Sequence, residues 1–343
     1  MSNQEINPSF QAMAGGSHGL LARTYYRCKP FIPKSVRWIL RRSRISRIMR
    51  RHSDVWPISS SASGKPDQWK SWPHGKQFAL VFTHDVESSE GVHAAPQLAE
   101  LEIKYGIQSS FYLIPEGQYE DPVDLRNWLV ERGFEIGVHD LNHDGQLYES
   151  RESFSRKAKG INHYLKKWNA VGFRSGFMLH QLDWLHELNI LYDASTFDTD
   201  PFEPQPDGTH TIFPFLITHT ENGTRREYVE LSYTLPQDST LFLLLQEKSA
   251  RIWKEKLAWL VQHGGLALVN IHPDYIDFSE DASDPSKYPV ALIEDFLVHV
   301  RDTYGDAFWN PRAKDLAQWY LNSRKLGVLD RGYVRSGTKK LIQ

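Results

Sequence analysis

The 343-residue chain is 40% apolar and carries 40 basic against 42 acidic side chains, which is enough apolar material for a buried core and too balanced a charge to favour a nucleic-acid partner. Cys28 is the only cysteine, so no disulfide can form within the chain and the composition suits a reducing compartment. Residues 1–20 lack the apolar stretch of a secretory signal and no run of 18 uncharged apolar residues occurs, so the expectation is a cytoplasmic protein with no transmembrane segment.

Residues 1–22 are polar and rich in small side chains and read as a flexible leader. A basic arm follows over 23–56, with eleven Lys or Arg and no acid between Arg23 and Arg51. Within it Val36, Ile39, Leu40, Ile45 and Ile48 recur at roughly helical spacing, which predicts a basic amphipathic helix over 34–50. Such a helix suits packing on the main domain or a protein partner, or peripheral contact with an anionic inner-membrane surface. A Pro/Ser/Gly-rich stretch over 57–66 opens a linker over 57–76 whose end is pinned by Trp69 and Trp72.

From Gln77 strand and helix signals alternate. FALVFTHD, IQSSFYLI and FEIGVH read as strands, separated by helical periods in APQLAELEIKY and PVDLRNWLVERG, and a further helix is expected over 151–168. VGFRS, a helix over 181–188, ILYDAS, one long helix through LLLQEKSARIWKEKLAWLVQHGG and a last strand LALVNIH complete the series. This alternation predicts an α/β domain over 77–325 with a parallel sheet and helices outside, either a closed barrel or a doubly wound sheet, followed by a basic tail over 326–343. No Gly-rich phosphate loop follows the first strand, which disfavours the nucleotide-binding version.

The expected strand ends carry THDVE (83–87), HDLNH (139–143), FRSG (173–176), YDAS (192–195) and NIHPD (270–274). A single strand-end histidine is usually structural. Five ionisable clusters at one structural phase place functional groups on one rim of a barrel. His139 and His143 with a carboxylate from another strand would make a two-nitrogen, one-oxygen set suited to Zn²⁺ or another first-row divalent ion. Asp85 and Glu87 can supply one base and one ligand, Arg174 can hold the base ionised, and His272 can protonate a leaving group.

These motifs, in this order, resemble those of the polysaccharide deacetylases, the NodB-homology or carbohydrate esterase family 4 group. THDVE resembles a variant of that family's TFDDG motif; HDLNH matches its His-Ser/Thr-x-x-His motif with Asp140 in the Ser/Thr place; FRSG keeps the arginine of its Arg-x-x-Gly motif. The resemblance covers roughly residues 78–304. It implies an irregular (β/α)7 barrel and removal of N-acetyl groups from a carbohydrate with the help of a divalent ion. It further implies Glu87, His139 and His143 as ligands, Asp85 as general base, His272 as general acid and Asp193 as the support of His272. Two other readings use the same residues: a metal-dependent amidohydrolase acting on a small non-sugar amide, and a catalytically silent carbohydrate-binding barrel. The long connection after Asp193 contributes Phe197, Phe202 and Asp200 as potential walls of a sugar site, although Asp198 and Asp200 serve equally well as turn formers.

Overall fold

The computed structural model describes residues 45, 47–67, 69–279, 284–325 and 334–335. The leader, most of the basic arm and nearly all of the C-terminal tail lie outside the described residues. Strand β1 (Phe78–Val86) is buried along its whole length, as expected of a strand covered on both faces. β2 (Ser109–Leu113), β3 (Glu135–His139), β4 (Gly172–Arg174) and β5 (Tyr192–Asp193) follow it in order, each parallel to its neighbour. β8 (Leu266–Ile271) runs parallel to the other side of β1. First and last motifs therefore meet, because the strands that carry them are adjacent.

Between β5 and β8 lies an antiparallel hairpin that the alternation of strands and helices does not announce. β6 (Phe215–Glu221) and β7 (Thr224–Glu230) are joined by Asn222 and Gly223, at φ 50° and 76°. An Asn-Gly pair in left-handed conformation makes the tight turn whose twist matches its strands. β7 lies parallel to β5. Just beyond it, the backbone N–H groups of Thr234 and Leu235 donate to Leu268 O, both at 3.0 Å, so this segment lies against β8 and helps to close the curled mixed sheet.

Helices α1 (Ser89–Lys104), α2 (Val123–Glu131) and α3 (Arg151–Lys167) pack outside the sheet, and Ser88 and Ser150 cap the first and third through their side-chain oxygens. Ala95, Leu129, Phe154, Ile161 and Leu165 on these helices share a buried layer with Phe111, Val138 and Phe173 of the sheet. α4 (Arg251–His263) stops at Gly264, φ 67°, the left-handed cap expected of glycine. α5 (Ala291–Tyr304) and α6 (Ala313–Lys325) complete the layer.

Three expectations differ from the structure. The long helix expected to run into Gly264 is broken: a wide turn over Ser239–Leu244 precedes α4, and Gln246 at φ 59° interrupts the helical path. The helix expected over 181–188 is only a short 3-10 turn, Trp184–Glu187. The segment read as a linker is packed on the barrel well before its pinned end: Ala62 is buried and its carbonyl accepts from Ile212 N–H at 3.2 Å, Trp56 just ahead of it is buried too, and Trp72, as expected, anchors the end by donating Nε1–H to Gly264 O at 2.8 Å. Apolar side chains interspersed among the Pro, Ser and Gly residues outweigh the composition there.

Candidate active site

Asp85 lies near the end of β1 and is buried. Arg174, at the end of β4, places Nη1 3.0 Å from Asp85 Oδ1 and 2.6 Å from Asn270 Oδ1, while its Nε donates to Ala194 O at 2.8 Å. The guanidinium lies 4.6 Å from the centre of the Tyr112 ring, so the fully buried cation has a π face as well as acceptors. Asn270 Nδ2 donates to Asp85 Oδ2 at 2.7 Å. Burial alone would raise the Asp85 pKa; Arg174, then His139 and His272, together with the Asn270 hydrogen bond, overcome it and leave the carboxyl below its ordinary value.

Two residues further on, Glu87 leaves the strand and meets the two histidines. His139 ends β3, and its Nδ1–H donates to Arg174 O at 3.1 Å. That tautomer leaves Nε2 as the free lone pair, the arrangement by which backbone carbonyls orient metal-binding imidazoles. His143, at φ 54° in the following loop, lies flat on Phe177 with ring centres 4.4 Å apart. Glu87 Oε1 stands 3.2 Å from His143 Nε2 and 3.8 Å from His139 Nε2. Both buried Nε2 atoms lack a hydrogen-bond partner.

Ligand atoms about 2.0–2.1 Å from a shared tetrahedral ion are about 3.3 Å apart. The three side chains offer ligand atoms all within 4.8 Å of one another, so this donor set fits a first-row divalent ion after small side-chain adjustments. Burial would raise the Glu87 pKa, but His143 and His139 hold it well below the usual carboxylate range, the ionisation state a metal ligand needs. The remaining Glu87 oxygen accepts from Tyr275 OH at 3.2 Å. Asp274 Oδ2 accepts the Glu87 backbone N–H at 3.0 Å, tying the loop after β1 to the loop after β8. This contact requires Gly91, since a Cβ there would come within 2.3 Å of the Asp274 carboxylate.

His272 follows β8, and its Nε2 lies 3.9 Å from both Asp85 Oδ2 and Glu87 Oε1. Its Nδ1–H donates to Asp238 Oδ1 at 2.6 Å, and its backbone N–H donates to Asp238 Oδ2 at 2.8 Å. Tyr288 OH donates to the same Oδ2 at 2.6 Å. Burial would lower the His272 pKa, but the Asp238 charge and hydrogen bond, joined by Glu87 and Asp85, push it up to about 10. Asp193 is therefore not the support of His272. Its carboxylate accepts from Ser195 Oγ at 2.7 Å and Ser195 N at 3.1 Å and interacts with buried Glu230. The place beside His272 belongs to Asp238 because the chain beyond β7 runs alongside β8.

The structure thus brings together Asp85, Glu87, His139, His143, Arg174 and His272, and sets Asp193 apart. Asp238, Asn270 and Tyr275 were not singled out in the sequence. Asn270 opens the NIHPD stretch and Tyr275 directly follows it, so both carry a signal by position; Asp238 sits in TLPQDST, where nothing local marks it. Asp200 forms the turn that its sequence context allowed, accepting the Phe202 N–H on Oδ1 at 2.9 Å, and is buried with its other oxygen accepting from Tyr233 OH at 2.9 Å; Asp198, also buried, pairs with Lys256 at 2.9 Å.

No family model matches the chain, and no curated protein matches its sequence. Solved structures do match. A Mycobacterium smegmatis protein assigned as a candidate polysaccharide deacetylase superposes with TM-score 0.59 at 16% identity, covering 80% of this chain and 99% of the other. Weaker similarity, at TM-score 0.41 and 10% identity, extends to the peptidoglycan deacetylase PdaC of Bacillus subtilis over 74% of this chain and 97% of that one. A CE4-family pseudoenzyme from Bacillus anthracis superposes at TM-score 0.42 and 12% identity, over 72% and 66% of the two chains. Strand order, the curled mixed sheet with outer helices, and the first of these likenesses together show that the chain has the (β/α) barrel fold of the polysaccharide deacetylases.

Proposed function

We propose that the protein is a metal-dependent hydrolase that removes N-acetyl groups from a carbohydrate. The observation that carries this reading is the convergence of two bare, buried imidazole nitrogens on Glu87, with Asp85 and His272 beside them. Glu87, His139 and His143 would hold the ion, and their nitrogen and carboxylate donors suit Zn²⁺. When bound, such an ion polarises the amide carbonyl and acidifies water. Asp85 accepts the proton of the attacking water on Oδ2, the oxygen that faces His139 and His272. Arg174 and Asn270 hold that carboxylate in place and keep it ionised. His272, kept protonated by Asp238, gives its Nε2 proton to the departing nitrogen as the C–N bond breaks, so the products are acetate and a free amino sugar.

Among the described residues no helix is long and apolar enough to cross a membrane. The lone Cys28 supports a cytoplasmic setting. Eleven basic side chains between Arg23 and Arg51 support peripheral contact with an anionic surface, although most of this stretch falls outside the described residues.

The test pairs metal content with acetate release from N-acetylated oligosaccharides, alongside small non-sugar amides. Asp85→Asn and His272→Ala are expected to keep the ion and to lose about 10² to 10⁴ in kcat, whereas His143→Ala is expected to lose the ion. Wild-type turnover in either of the first two variants removes that residue from the chemistry. Metal loss in Asp85→Asn would place Asp85 among the ligands, and turnover confined to the small amides would transfer the assignment to that class.

A further inference from the structure

Beyond Asn270, Asp85 is tied to a buried hydrogen-bonded chain that the chemistry above does not use. Asn270 Nδ2 donates to Asp85 Oδ2 and lies 3.2 Å from Gln237 Oε1. Gln237 Nε2 in turn donates to Glu203 Oε1. That oxygen is 2.8 Å from Tyr233 OH, which lies 2.9 Å from Asp200 Oδ2. Lys256, paired with Asp198, adds its positive charge near Asp200. Asn270, Gln237, Glu203, Tyr233 and Asp200 are all at most 7% exposed.

The donors and acceptors in this chain have a single consistent direction. Arg174 Nη1 has only protons to offer, so the Asn270 side chain turns its oxygen to Arg174 and its nitrogen to Asp85 and Gln237. Gln237 must then present its oxygen to Asn270 and its nitrogen to Glu203. Tyr233 has one hydroxyl proton and two carboxyl groups within reach. Burial, reinforced by Asp200, pushes Glu203 up to about 8, so near neutrality Glu203 keeps its proton and the phenol is free to donate to Asp200. Buried chains satisfied in one direction polarise and stiffen their members.

We propose that Gln237 and Glu203 are positioning residues for Asp85, acting through Asn270: they fix the plane of the Asn270 amide and thereby the direction in which Asp85 Oδ2 points. Neither residue belongs to the strand-end motifs. Glu203 lies in the long connection between β5 and β6, and Gln237 follows β7, so these segments, which contribute no ligand to the ion, set the geometry of the base. This role rests on the reading of Asp85 as general base.

Glu203→Gln keeps a carbonyl oxygen for Gln237 Nε2, whereas Glu203→Met removes it and Gln237→Leu cuts the chain next to Asn270. The expected result is a kcat about 10- to 100-fold lower in Gln237→Leu and Glu203→Met, the effect of displacing a reacting group by about 1 Å. KM and metal content should be unchanged, and Glu203→Gln should stay within about twofold of wild type. Equal losses in Glu203→Gln and Glu203→Met, or a wild-type kcat in Gln237→Leu, overturn the proposal. If Gln237→Leu does not fold, the two Glu203 variants decide it. If the wild-type protein hydrolyses no acetylated sugar, the functional reading fails on its own, and crystal structures of the variants decide the positioning role: an Asp85 carboxylate and Asn270 amide in their wild-type places overturn it.

Discussion

Replacing Asp238 by Asn tests the electrostatics of the site directly. Asp238 accepts three hydrogen bonds, from His272 Nδ1, His272 N and Tyr288 OH. In Asp238→Asn the backbone N–H and the phenol still require an acceptor, so the amide oxygen stays with them and the amide nitrogen turns to His272 Nδ1. That nitrogen then has to accept, which forces the neutral tautomer with its proton on Nε2 and opposes protonation at Nδ1. The gap between about 10 in the native site and the ordinary 6.5 corresponds to about 5 kcal/mol in favour of the imidazolium. Asp238 is the largest of the groups that favour it. With its charge gone, burial dominates, and the His272 pKa is expected to fall by several pH units, to near or below 6.5. A ¹³Cε1-histidine titration of the metal-free protein, with the resonance assigned from His272→Gln, measures this. A His272 pKa within one unit of the native value would refute the argument, because the raised value could then not come from Asp238. Turnover of an acetylated sugar at pH 7 should fall in parallel by about 10²-fold.

Glu203 gives stability a dependence on pH. In the unfolded chain it ionises above about 4.5, whereas in the fold it keeps its proton up to about 8, so the folded state binds the extra proton between those values. Its contribution to stability therefore falls as pH rises through that window, by at most about 1.4 kcal/mol per unit. Glu203→Gln should be more stable than wild type at pH 8 and show a flatter profile from pH 5 to 8; parallel urea-unfolding profiles would contradict this. Trp56 is 4% exposed and packs edge-on against Phe202 at 5.1 Å, so Trp56→Ala should cost about 3–5 kcal/mol. An unfolding midpoint unchanged from wild type would show that Trp56 adds nothing to the core.

The alternation of buried apolar runs with helical periods was legible without coordinates, because burial on both faces of a parallel strand demands continuous apolar side chains, as in FALVF and LALVNI. The same runs stop where Asp85, His139, Arg174 and His272 begin, so most of the site could be read as the polar end of each strand. What lay beyond the local pattern depends on which strands become neighbours. Asp193 ends a strand legible in the linear text, whereas nothing local marks Asp238; only the passage of 234–235 along β8 brings Asp238 to His272 and leaves Asp193 with Ser195. Asn270 meets Asp85 because β8 pairs with β1 across nearly two hundred residues. The Asn-Gly turn of the β6–β7 hairpin was visible as a dipeptide, but its place between β5 and β8 was not. Periodicity records which side of an element is buried. It does not record the distant partner that buries it, and in a curled sheet that partner decides which acid tunes which histidine.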